Sequence, residues 1–257
     1  MATLKQVWRS NIHYWVISAL VILAIVNYFA FRSFDLVLSL VTSLVIAVIV
    51  DSGAYYIREG KPAITTSSVI SGLIIGLVLS GSYIVMAIAA AVAILSKHLI
   101  KANKKHIFNP ASLGILIALL IAPFLFIGSA DQGWWGGGSI YAVSILGLLI
   151  VYKMKRLQMA LTYFVSKAII IFILTLGGIL KSEIFNAETL SGTVFFFAFI
   201  MLIEPITSPV SRKGRLVFAA LVAILNFAFF FTWPGYALIG SLLVADLFVP
   251  AINRFVK

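Results

Sequence analysis

The stretch Ser191-Gly192-Thr193-Val194-Phe195-Phe196-Phe197-Ala198-Phe199-Ile200-Met201-Leu202-Ile203-Glu204-Pro205-Ile206-Thr207-Ser208-Pro209 decides the fold. Its apolar run, 192–203, holds about 12 residues, against the roughly 20 a helix needs to cross a bilayer. It ends on a carboxylate and a proline, and a polar segment with a second proline follows. A similar break, Lys104-Lys105-His106-Ile107-Phe108-Asn109-Pro110-Ala111, interrupts the first half of the chain. At membrane depth, irregular polar backbone is tolerated only where it is buried in protein or lines a cavity. The two breaks are therefore the places to look for function.

Composition fixes the broad class around these breaks. The 257 residues are 62% hydrophobic and 11% charged, with a mean hydropathy of +1.13, far from an average soluble domain. This is the make-up of a polytopic helical membrane protein, read as a single polytopic membrane domain over 1–257. The net charge of +11 lies in short clusters between apolar segments, which reads as topology and not as a nucleic-acid surface. The absence of cysteine excludes disulfides, cysteine-ligated iron–sulfur clusters and thiolate zinc sites on this chain. Three histidines, His13, His98 and His106, make no convincing metal site, and no nucleotide-binding glycine fingerprint occurs.

Spans are expected at 13–31, 35–57, 67–80, 83–100, 110–127, 139–153, 158–178, 192–203, 215–232 and 235–252. With the N-terminus in the cytoplasm, the inner segments carry Lys5, Arg9, Arg58, Lys61, Lys97, Lys101, Lys104, Lys105, Lys153, Lys155, Arg156, Arg212, Lys213, Arg215, Arg254 and Lys257. The outer segments carry only Arg32 and Lys181. That asymmetry predicts both termini inside and the first segment as a span, not a cleaved leader. The short segments fall third and eighth, at corresponding positions of two five-helix halves, 1–128 and 129–257. An odd number of spans per half inverts the second half. Matching short segments in such a repeat point to a site near the midplane.

Thr65-Thr66-Ser67-Ser68 reads as a helix N-cap. The helix start it opens, through its free N–H groups and dipole, is also an anion- or carbonyl-binding end. Pro110 suits a first helical position, making Asn109 the cap. An Asn carboxamide can alternatively read a planar amide edge, and His106 could line the same mouth. Glu204, a carboxylate in an apolar run, is a functional candidate by default, with Thr207 and Ser208 beside it. Arg212, Lys213 and Arg215 serve either the site or topology alone. Lys167 is expected to snorkel to the boundary. Asp51 and Asp246 flank spans, where an ion path or plain exposure are both open. Trp134 and Trp135 read as an interfacial anchor ahead of a flexible Gly136-Gly137-Gly138 turn.

The segments Ser96-Lys97-His98-Leu99 through Lys105-His106-Ile107-Phe108-Asn109-Pro110-Ala111-Ser112-Leu113-Gly114, and Met201-Leu202-Ile203-Glu204-Pro205-Ile206-Thr207-Ser208-Pro209 on to Val249-Pro250, resemble a known family. It is the RnfD/NqrB family of membrane proteins, found in Rnf complexes and in sodium-pumping NADH:quinone reductases. The resemblance implies a membrane subunit of a flavin-dependent electron-transport complex that couples electron transfer to Na⁺ or H⁺ translocation. It implies ten helices in two inverted halves, related to urea transporters, in the cell membrane beside other membrane and redox subunits. It places flavin, riboflavin or FMN, in the membrane domain. The cofactor contacts would come from His106, Phe108, Asn109, Ser67, Ser68, Glu204, Thr207 and Ser208, with no metal site.

Two positions depart from the family pattern. Glu204 stands where Asp is commoner. The loop Gly128-Ser129-Ala130-Asp131-Gln132-Gly133-Trp134-Trp135 lacks the threonine to which family members attach FMN, so flavin here is expected to be non-covalent. Ser191-Gly192-Thr193, the nearest match, reads as a helix start. A small-solute channel or transporter of the same fold, without redox cofactor, is the competing function.

Overall fold

A computed structural model describes residues 12–102, 105–127, 130–181, 184 and 189–256. Lys5, Arg9, Lys104, Gly128, Ser129 and Lys257 lie outside the described residues. Among those described, the chain forms α1 (Ile12–Phe31), α2 (Phe34–Glu59), α3 (Thr66–Val78), α4 (Tyr83–Leu99), α5 (Pro110–Leu125), α6 (Ile140–Lys153) and α7 (Leu157–Leu176). Then come α8 (Gly192–Met201), α9 (Arg212–Thr232) and α10 (Ala237–Phe255). α1, α2, α7, α9 and α10 with its preceding turn are long and apolar enough to cross a membrane. Each falls on an expected span. α3, with 13 residues, and α8, with 10, are the shortest, although α6, with 14, is barely longer. The protein is an all-α, multi-pass membrane protein.

Outward faces fit lipid. Exposed Val41, Val45 and Ile49 repeat every four residues along α2, as Leu161, Val165 and Ile169 do along α7. Inward, packing relies on small residues, because lipid gives apolar side chains no incentive to leave it for one another. A Cβ on Gly76 would stand 2.7 Å from the Leu40 Cα of α2, and one on Gly114 2.2 Å from the Ala89 carbonyl of α4. Only a hydrogen at these positions lets α3 lie on α2 and α5 on α4.

Several packing pairs recur five helices apart, although the close α2–α3 contact has no equal between α7 and α8. α1 lies on α3 as α6 lies on α8; α2 on α4 as α7 on α9; α4 on α5 as α9 on α10. α1 meets α6, and α5 meets α10. Most of the buried apolar residues of these helices join in one large cluster, and Ile171 and Phe227 pack with Leu180 in a second, small one.

Caps set the helix starts. The Ser68 amide donates to Thr65 Oγ1 at 3.2 Å and the Ser112 amide to Asn109 Oδ1 at 3.0 Å, with Pro110 opening α5. Ser191 caps α8, the helix start its sequence suggests. α8 is α-helical only to Phe196 and then widens to a π turn over Phe197–Met201. Such turns are rare and concentrate at functional sites.

Three expectations change. Lys167 does not reach the boundary: it is fully buried, its Nζ 5.7 and 5.6 Å from the ring centres of Tyr163 and Phe227. Cation–π contact inside the bundle replaces snorkelling. Trp134 and Trp135 turn into the protein against Phe196 and Phe31. Gly136 and Gly137 are buried in a 3₁₀ turn, not a flexible linker, and a Cβ on Gly192 would strike the Gly137 carbonyl. Asp51 and Asp246 are not exposed helix ends; both are buried within α2 and α10. Two short antiparallel pairs, Leu79–Gly81 with Ala130–Gln132 and Lys101–Ala102 with Lys105–His106, carry no periodic signal in the sequence.

Candidate functional site

The N-termini of α3 and α5 converge on one cavity of about 120 Å³. α3 supplies Ser67, Ile70, Ser71 and Ile74, and the α5 start supplies Asn109, Pro110 and Ala111. Ile12, His13 and Val16 of α1, with Ile150 of α6 and Met154 just past its end, close one side. Ile200 and the break Glu204-Pro205-Ile206 close the other. The starts of two helices thus lie across an apolar chamber from the Glu204 carboxylate. Such helix starts favour carbonyl or anionic edges, while Glu204 accepts from N–H groups.

A second cavity, of about 250 Å³, shares Ile206 as a wall. His106, Thr207, Ser208, Asp246 and Asn253 line it. His106 Nε2 lies 3.3 Å from Glu204 Oε1, and Thr207 Oγ1 donates to Glu204 Oε2 at 3.4 Å. Asp246 is fully buried; its Oδ2 accepts the Asn109 amide at 2.8 Å, and its Oδ1 has no hydrogen-bond partner among the described residues. A buried carboxylate without a full set of partners is expensive to maintain.

The structure sorts the expected residues between these cavities. Ser67, Asn109 and Glu204 line the first, and His106, Thr207 and Ser208 the second. Ser68 is buried, with its hydroxyl donating to the Thr65 carbonyl at 2.8 Å. Phe108 packs on the core and lines neither cavity. Asn109 is committed as well: its carboxamide caps α5 and donates to the Met201 carbonyl at 3.3 Å. The cap reading accounts for both ends of that side chain, leaving one N–H and one lone pair for a ligand.

Other residues escaped the sequence. Ser71 and His13 line the first cavity; His13 Nδ1 lies 2.7 Å from Thr66 Oγ1, a contact across 53 positions with no local pattern. A polar chain also ties α2, α3 and α4 together. Arg58 Nη1 lies 3.3 Å from His98 Nδ1, and His98 Nε2 lies 3.0 Å from Asp51 Oδ1. Asp51 Oδ2 in turn accepts from Thr65 Oγ1 at 2.7 Å. The Ser-Lys-His end of α4 is the only local signal of this chain of contacts. Arg156, between α6 and α7, donates to Ser208 Oγ at 2.7 Å. Burial and the neighbouring Arg215 push its guanidinium down to about 10, which leaves it charged at neutral pH.

Would a flavin fit? Apolar walls with hydroxyls on one side and a carboxylate on the other suit an isoalloxazine edge. Alone, each cavity falls below the ~300 Å³ at which cofactor pockets begin; the two together enter that range only once the Ile206 wall between them moves aside. Among the described residues no metal-ligating cluster occurs.

Residues 123–257 match the profile of the NQR2, RnfD, RnfE family. The chain is 26% identical over 154 residues to the D subunit of the ion-translocating oxidoreductase complex of Shewanella frigidimarina, covering 57% of this chain and 42% of the relative. The same-named protein of Shewanella sediminis is 28% identical over 152 residues, with the same coverage. The chain thus spans less than half the length of the curated relatives it matches. The matched residues take in α6 to α10, including the Glu204 break and Asp246, so the chain belongs to the NQR2, RnfD, RnfE family.

Proposed function

We propose that this chain is the membrane subunit of a flavin-dependent, ion-translocating electron-transport complex, acting beside other membrane and redox subunits. The observation that carries the reading is the double-walled site, in which α3 and α5 present helix starts to the Glu204 break. Its frame is a single membrane domain of ten spans in two inverted five-helix halves, both termini cytoplasmic, in the cell membrane. The packing pairs that recur five helices apart speak for that frame.

A flavin, riboflavin or FMN held non-covalently, would supply the one- and two-electron chemistry. This chain's residues would bind and orient it. Ser67 and the α3 start would face carbonyl edges, with Ser71, whose hydroxyl donates to the Ser67 carbonyl, beside them, and Glu204 would accept an imide-type N–H. Ile70, Ile74 and Ile200 exclude water. Asn109 acts as a positioning residue, tying the α5 start to Met201 and to Asp246. On the second cavity, Asp246 Oδ1 would accept the coupled proton or Na⁺, with Glu204 and His106 as its neighbours on the route. A carboxylate at membrane depth is costly unless it serves such a path.

The test is flavin retention. Wild-type protein purified with its partners should carry acid-releasable flavin, and S67A/S71A and E204Q should lower the occupancy at least tenfold while elution stays monodisperse. Unchanged occupancy in both variants would remove the site from consideration.

A second reading, a small-solute channel, is favoured by one observation: the first cavity, at about 120 Å³, holds a small solute whole but a flavin only after joining the second. Solute flux in proteoliposomes that E204A abolishes, from protein without flavin, would decide for it.

A further inference from the structure

We propose that Arg156, Arg212 and Arg215 form a binding site for the phosphate headgroup of an anionic phospholipid. The cluster joins segments more than 50 positions apart, brought together where α7 and α9 pack with their starts side by side. Their hydrogen-bond partners are neutral. Arg156 donates to Ser208 Oγ, Arg212 Nε to Gln158 Oε1, and Arg215 Nη1 to the Val210 carbonyl. No arginine–carboxylate pair within 4 Å occurs among the described residues.

A topological signal requires only that cations lie on one side of the membrane. It does not require arginines of two segments to cross-link them through neutral partners, Arg156 to Ser208 and Arg212 to Gln158, with no carboxylate in reach. Arg156 is half-buried there, and the nearby Arg215 adds to burial in weakening its hold on its proton. Arginines gathered at one helix junction without a carboxylate partner favour an anion there. Planar forks suit phosphate oxygens. Arg156 also occupies the N-cap of α7 without a side-chain cap, whereas Ser211 caps α9, so the α7 dipole adds to the same field.

Lipid, not free phosphate, is favoured by what adjoins the arginines. Leu157, Leu161, Val165 and Ile169 form an exposed apolar stripe that runs from the cluster along α7. A headgroup on the arginines lays its acyl chain along that stripe. The site is independent of whether the protein binds flavin.

The full chain in neutral detergent would be examined by native mass spectrometry with phosphatidylglycerol or phosphatidylcholine of equal chain length. Wild type should retain phosphatidylglycerol in strong preference. R212Q/R215Q should bind it about 30-fold more weakly, taking roughly a factor of five per arginine near an anionic headgroup, with phosphatidylcholine unchanged. Equal retention of the two lipids by wild type overturns the proposal, as does an unaltered preference in R212Q/R215Q. Displacement of phosphatidylglycerol by millimolar inorganic phosphate shows that the headgroup charge alone suffices and overturns the lipid assignment. So does loss of a co-purifying protein in R212Q/R215Q with lipid affinity intact, which makes the patch a contact for an acidic partner. The wild-type arms decide the matter even if the variant fails to fold.

Discussion

Asn109→Ala separates structure from ligand binding at the central break. The substitution deletes the acceptor that caps α5 and the donor to the Met201 carbonyl, and it keeps the backbone bond to Asp246. An Asn cap is worth ~1 kcal/mol, and a buried amide–carbonyl bond contributes ~1 kcal/mol net. The Met201 carbonyl retains a contact from the Glu204 amide, so no full desolvation penalty follows. N109A should therefore lose about 2 kcal/mol of stability, with a melting temperature lower by roughly 4–8 °C for a chain of this size. N109S keeps a capping hydroxyl and should lose about half as much. Size-exclusion-monitored melting in detergent, with denaturant titration for the free energies, reads both variants. A change below ~0.5 kcal/mol for N109A, or equal losses for N109A and N109S, would refute the reasoning that Asn109 joins α5 to the α8 break.

G114V should overpack the α4–α5 contact by at least ~1–3 kcal/mol and cut the folded yield, because its Cβ meets the Ala89 carbonyl; G53A, with nothing within 4 Å, should be silent in the same assay. D51N should weaken the links to Thr65 and His98 by about 1–2 kcal/mol and expose the α3 start to proteolysis first; a wild-type cleavage pattern would refute it. Arg156 has its affinity for protons lowered to about 10, so its charge costs stability fully below that value and the cost is relieved only as pH rises above it. R156Q and wild type should therefore differ in melting temperature by the same amount at pH 7 and pH 9, and a difference that changes across that window would contradict the assignment.

Much of the fold was legible because its signals are local. Apolar runs and the caps at Thr65, Asn109 and Ser191 depend on near neighbours along the chain, and the helices follow them in the structure. The site was legible in its breaks, since Pro110 and Pro205 mark where helices start and stop whatever they pack against. What failed to show is tertiary. Lys167 looks like a snorkelling lysine until α9 brings Phe227 over it. His13 reaches Thr66 only because α1 lies on α3. Asn109 seemed free to read a ligand because its partner, the Met201 carbonyl, lies 92 positions away. The pairing of Leu79–Gly81 with Ala130–Gln132 involves segments too short to alternate.

The flavin content of the full chain, purified alone and with its partner subunits and released by acid, tests the central claim most directly. Non-covalent flavin near one equivalent per chain, lost in E204Q, is the expected result. A protein that carries no flavin in either preparation would contradict it.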